Sequence, residues 1–202
     1  NFIAASEQIK LKNEYYELFN NIALQTANYF YNANKFSDAY KYYDKLKELK
    51  NIGADNLANF AITAFKINKF RQALDLFKRL EREYNKSNYE NYAALAYYYL
   101  NEYDQAYNLL KKIYDKSKTF NDKNLQKIYA QLAALKKDNE TALRLLTNLT
   151  DKDLDYKSLN ILADLYEKAN QKEKAAIYFE KSLAINKNQP EIEIKLLDLY
   201  YD

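Results

Sequence analysis

The 202-residue chain has no cysteine, histidine, methionine or tryptophan, and only one glycine and one proline. Each absence removes a class of chemistry or architecture. Without histidine or cysteine, the commonest general base, the thiol nucleophile and the usual zinc ligands are all missing. One glycine cannot build a phosphate-cradling loop or a dinucleotide fingerprint, which need several at fixed spacing. The scarcity of glycine and proline also argues against a β-rich fold, whose tight hairpins depend on them. Asn, Ser and Asp take the turn positions instead, as at residues 32–34, 51–53 and 186–188. The longest apolar stretches, such as Tyr92 to Leu100, fall far short of the ~20 residues that cross a bilayer, so no membrane insertion is expected. A chain without thiols fits either redox compartment, and cytoplasmic and periplasmic locations are both compatible with it.

What is present is a periodicity. Alanine returns at Ala39, Ala73, Ala106, Ala142 and Ala175, at spacings of 34, 33, 36 and 33 residues. Each has a second alanine twelve residues upstream, at Ala27, Ala61, Ala94, Ala130 and Ala163. A period in this range is the mark of stacked supersecondary units, and it is long enough for two helices and two short connections. Two antiparallel helices approach to the short end of the ~8–10 Å packing range only where the facing residues are small, so each alanine pair marks one crossing. Four residues after each anchor, on the same helical face, stand Tyr43, Phe77, Leu110, Leu146 and Phe179. Phe36, Phe70 and Tyr103 precede the first three anchors by three residues and are expected to plug the turn between helices. Phe30, Ala64, Tyr97, Ala133 and Tyr166 follow the upstream alanines by three and are expected to fill the space to the neighbouring unit.

The segments Phe36-Ser37-Asp38-Ala39-Tyr40-Lys41-Tyr42-Tyr43 and Phe70-Arg71-Gln72-Ala73-Leu74-Asp75-Leu76-Phe77 resemble the turn and second helix of the tetratricopeptide repeat family. The run from Lys174 to Asn186 is closer still. The resemblance covers roughly residues 20 to 187 as five units. No unit ends with the family's usual proline, and Asn139 and Lys172 replace the aromatic turn residue in the last two. It implies an all-α, right-handed α-solenoid of about five helix-turn-helix repeats with partial flanking helices. Residues 1–19 are read as a flanking helix, either the second helix of a preceding repeat or a forward extension of the helix reaching Tyr31. Residues 188–202, with Pro190 at the opening turn, are read as the first helix of a further repeat, and both ends look cut. The whole is one repeat domain.

Little else in the sequence suggests chemistry, and neither enzymatic activity nor a cofactor is expected. Asp151-Lys152-Asp153-Leu154-Asp155 has the alternating acids of a calcium loop, but Tyr156 stands where that loop needs glycine and Leu162 where it needs a bidentate Glu. It is read as an acidic turn capping a helix that starts near Leu154. Glu81 and Glu83, or Glu191 and Glu193, are two apart on a helix and point in different directions. The sequons at Asn85, Asn139 and Asn148 matter only in a glycosylating secretory pathway. Residues 51–150 hold 16 basic and 11 acidic groups, whereas 151–202 hold 8 and 11. Most basic residues alternate with acids, which favours a solvated helix face over a nucleic-acid surface. The charge shift also admits self-association through the ends of the array.

The family resemblance implies a concave groove lined by the first helix of each repeat. From the alanine register the candidate partner-binding residues are Leu24, Asn28 and Tyr31, then Asn59, Ile62 and Phe65. They continue with Asn91, Leu95, Tyr98 and Tyr99, then Lys127, Gln131 and Leu135, and end with Asn160, Asp164 and Lys168. The amides of Asn28, Asn59, Asn91 and Asn160 both donate and accept, which suits an extended peptide backbone. The apolar members offer pockets or a bed for a partner helix. Structural packing against the next unit explains the same residues equally well. A two-carboxylate clamp for chaperone C-termini, known in the family, is absent, because Leu24 replaces its first Lys and the third helix offers Asn88 and Tyr92. The expected function is a non-enzymatic scaffold that binds a protein or peptide partner. The resemblance implies settings such as bacterial envelope, secretion or flagellar-motor complexes. The alternative is a regulatory or recruiting array attached to an enzyme elsewhere on a longer chain; nucleic-acid binding ranks below both.

Overall fold

The computed structural model describes residues 2–47, 52–86 and 88–201. Every regular element among them is helical. They form two compact units, one ending at Glu102 and the next beginning at Tyr103, so the division falls in the third repeat rather than at the edge of a repeat.

The first unit contains α1 (Phe2–Asn32), α2 (Phe36–Tyr43) with a 3-10 turn at Asp44–Leu46, α3 (Ala54–Lys66), α4 (Phe70–Tyr84) and α5 (Glu90–Tyr99). No turn separates residues 2–19 from the first repeat helix, which makes that segment part of α1. The second unit contains α6 (Tyr103–Ser117), α7 (Lys123–Leu135), α8 (Asn139–Thr147), a 3-10 turn at Asp151–Asp153, α9 (Tyr156–Lys168), α10 (Lys172–Ile185) and α11 (Pro190–Tyr201). No described helix is long and apolar enough to cross a membrane.

A recurring backbone device makes these sharp helical turns without glycine. Asn34, Asn68, Asn101, Lys137 and Asn170 all adopt left-handed backbone conformations, with φ of 55, 62, 59, 62 and 56°. Each stands five residues before an anchor alanine. At each turn this residue's N–H bonds back three residues and the next N–H bonds back five, as in Asn34 to Tyr31 (2.9 Å) and Lys35 to Phe30 (2.9 Å). This is the Schellman closure, and Asn is the residue that tolerates it best after glycine. Gly53 supplies φ 83° just before α3, while Pro190 opens α11, where its missing N–H leaves no bond unmade. Of the other expected turns, Asn51 lies outside the described residues.

All ten register alanines are fully buried. Ala27 and Ala39 belong to the packed pair α1–α2, Ala61 and Ala73 to α3–α4, Ala130 and Ala142 to α7–α8, and Ala163 and Ala175 to α9–α10. The residues four beyond the anchors are buried with them, and Tyr43 stacks on Phe60 with ring centroids 5.4 Å apart. Phe30 and Tyr166 also stack on Tyr42 (5.8 Å) and Tyr178 (5.4 Å), on the second helix of their own repeat. The acidic segment is the expected helix cap, on a helix that begins at Tyr156, two residues beyond Leu154. Asp153 accepts from Thr150 in a 3-10 capping box, and Asp155 caps α9, accepting from the Ser158 N–H at 2.9 Å.

Candidate functional site

The first helices of the leading unit, α1, α3 and α5, carry two kinds of candidate side chain, with different fates. The amides turn towards one another. Asn28 donates from Nδ2 to Asn56 Oδ1 at 2.8 Å, and its Oδ1 accepts from the Tyr43 hydroxyl and from Asn59 Nδ2 at 3.4 Å. Asn56 in turn donates to the Ile52 carbonyl at 2.9 Å. Tyr43 is fully buried, and burial pushes its hydroxyl well above the ordinary tyrosine range. A buried hydroxyl needs a partner, and Asn28 is that partner.

The same stitching recurs in the second unit between α7 and α9, and between α9 and the segment entering α11. Lys127 donates to Asp155 at 3.0 Å, Asp164 accepts from Lys195, and Asn160 donates to Gln189 Oε1 at 2.8 Å. The Asn160 carbonyl oxygen is buried without a hydrogen-bond partner among the described residues. The bonded residues are 28 to 31 apart, so these bonds tie each repeat to the next. Asp155 feels opposing effects: burial raises its pKa, but the Ser158 N–H, Lys127 and the Ser158 hydroxyl together hold it below the usual carboxylate range.

The apolar candidates instead form a surface. Leu24, Tyr31, Ile62 and Phe65 are partly buried against the core of the first unit. Phe65 meets Phe70 edge-on at 5.4 Å and Tyr92 at 5.2 Å. Tyr99 stacks on Phe70 at 4.7 Å and meets Tyr98 edge-on at 5.7 Å, yet remains 47% exposed. Asn91 is exposed on the same helix, α5, and Leu95 half-buried. In the second unit Gln131 is half-buried, and Leu135 and Lys168 are exposed.

The structure brings Phe65, Tyr98 and Tyr99 together and adds Phe70 and Tyr92 to the cluster, and Asn56 and Tyr43 as partners of Asn28, none of which helical spacing singles out for those contacts. Phe70, expected to plug the turn between helices, packs against Phe65 across the turn from α3 to α4. Its second face, against Tyr99, has no signature in helical spacing. Several basic residues of the 51–150 stretch are engaged internally: Arg71 pairs with Glu102, Arg79 with Glu83, and Lys69 and Lys78 lie over the rings of Tyr40 and Tyr97.

Comparison with known proteins agrees with this architecture. Residues 158–193 match the model of the tetratricopeptide repeat. Among curated proteins no sequence matches the chain. Among solved structures, MamA of AMB-1 is similar with a TM-score of 0.67 and 16% identity, covering 86% of this chain and 94% of that one. YrrB, described as a TPR protein with an unusual peptide-binding site, is similar with a TM-score of 0.65 and 17% identity, covering 86% and 89%. MamA from Desulfovibrio magneticus RS-1 gives 0.62 and 13%, covering 85% and 97%. At these identities the likeness is one of fold.

Proposed function

We propose that this chain, a tetratricopeptide repeat protein by its repeat signature and its fold, is a non-enzymatic scaffold that holds a peptide segment or partner helix on the first-helix face of its leading unit, within a larger assembly. The observation that carries the reading is the aromatic platform of Phe65, Phe70, Tyr98 and Tyr99. Its rings are fixed against one another at 4.7–6.1 Å, while Tyr99 keeps nearly half its surface in water. Aromatic side chains held rigid before binding contribute large apolar area at low entropic cost, the usual composition of a binding hot spot. Asn91, exposed about two turns before Tyr98 on the same helix, offers an amide that can donate or accept to a backbone partner. Asn28 and Asn59 serve this face indirectly, by fixing α1 against α3. The peptide-binding site named for YrrB is in keeping with this use of the fold.

The experiment is selection of peptides from a random display library on the wild-type chain, followed by affinity measurement on variants. Tyr99→Ala and Ile62→Ala should each weaken the selected ligands about tenfold, which corresponds to ~1.4 kcal/mol. Ile177→Ala, at an exposed position on α10, should leave them unchanged. Equal affinity for the wild type and Tyr99→Ala would remove the platform from the binding site.

A further inference from the structure

From residue 11 to residue 19 every side chain of α1 is exposed, and burial begins only at Ala23 and Ala27, which face α2. An unsupported helix of this length is marginal in water. Many of its exposed residues are nonetheless apolar or aromatic: Leu11, Tyr15, Tyr16, Leu18, Phe19, Ile22 and Tyr29 are each more than half exposed. Leu11, Tyr15, Leu18 and Ile22 alternate at spacings of four, three and four, the seam of a two-stranded coiled coil. The seam lies on the opposite side of α1 from Ala23 and Ala27, and it uses none of Leu24, Asn28 or Tyr31.

We infer that this seam pairs with the same seam of a second copy, in antiparallel orientation, to form a homodimer. Setting Tyr15 against Leu18 of the other copy places Leu11 against Ile22, so all four seam positions meet an apolar partner. The flanking positions agree, with Lys12 opposite Phe19, a cation facing a ring, and Glu14 opposite Asn21. No two like charges face each other. Leu11, Tyr15, Leu18, Phe19 and Ile22 leave roughly 500 Å² exposed per copy, so the pair buries about 1,000 Å² in total, the size at which specific interfaces begin. The inference is independent of the aromatic platform on α3 to α5 and deepens the expectation of self-association through an end of the array.

Sedimentation equilibrium on the 202-residue chain should give twice its 24.0 kDa mass, and Leu18→Glu and Ile22→Glu should each return it to the monomer. Both positions are exposed, so the circular dichroism of the rest of the fold reports whether either variant has simply unfolded. Orientation is read by cross-linking, since the chain has no cysteine of its own. Leu11→Cys and Ile22→Cys variants mixed in equal amounts should oxidise to a mixed disulfide, and neither should cross-link alone, because the two positions are ~16 Å apart along one helix. A monomer at the highest soluble concentration, meaning that the seam is covered by another segment or partner, would overturn the proposal. So would like-to-like disulfides, which report a parallel pair, or a dimer indifferent to both Glu substitutions.

Discussion

The buried Tyr43 hydroxyl on α2 donates to the side-chain oxygen of Asn28 on α1, the amide that also grips Asn56 and Asn59 on α3. One asparagine thus satisfies the core of its own repeat and anchors the next one. Replacing it with Leu strands a buried hydroxyl and should cost about 1–3 kcal/mol. Tyr43→Phe removes the donor but leaves Asn28 its other partners, and should cost about 0.5–1.5 kcal/mol. In urea unfolding the double variant should be less destabilised than the sum of the two, the sign of direct coupling. Additive effects would mean that the two residues act separately.

Lys137 occupies the left-handed position that Asn holds in the other four turns. A non-glycine residue there carries a backbone penalty of about 1–2 kcal/mol, less for Asn. Lys137→Gly should therefore stabilise the second unit by about 0.5–1 kcal/mol, seen as a higher urea midpoint, and Asn170→Ala should lower it. A loss of stability in Lys137→Gly would show that the lysine side chain outweighs its backbone strain.

Ala163 and Ala175 are fully buried in one cluster with Phe179. Ala163→Leu adds volume where α9 and α10 pack closely and should cost about 1–3 kcal/mol. Ala169→Leu, at an exposed position just past α9, is the matched control and should change stability by less than about 0.5 kcal/mol.

Asp155 sits below the usual carboxylate range: burial opposes its charge, but the Ser158 N–H, Lys127 and the Ser158 hydroxyl outweigh it. A folded-state pKa below the unfolded value gives stability that is present above the unfolded pKa, about 3.9, and disappears as pH falls through the folded one. Asp155→Asn should consequently lower the urea midpoint at pH 7, and the gap to wild type should close as the pH is taken below about 4. A gap that stays constant across that range would place the stabilisation in shape rather than charge.

Four of the crossings and the core were legible in the sequence because small residues at a fixed register have one physical use there, and all ten alanines are buried. The turn signal was legible in principle. Asn stands five residues before the anchor in four of five repeats, but Lys137 breaks the series and Asn is frequent throughout the chain. The pairing of Asn28 with Asn56, or of Lys127 with Asp155, was not legible. A polar residue on a helix has the same spacing whether it faces water or the next helix, and only the packing of successive first helices separates the two. Phe30 and Tyr166 illustrate the same limit, since an aromatic at the edge of a crossing can turn to either side.

Partners held on the first-helix face of the leading unit, as proposed, should slow backbone exchange there. Hydrogen–deuterium exchange on the wild-type chain, with and without the tightest selected peptide, tests it most directly. Slowed exchange should be concentrated in α3 and α5, around Ile62, Phe65 and Tyr99, with α2 and α4 little changed. Protection confined to the second helices or to the second unit would contradict it.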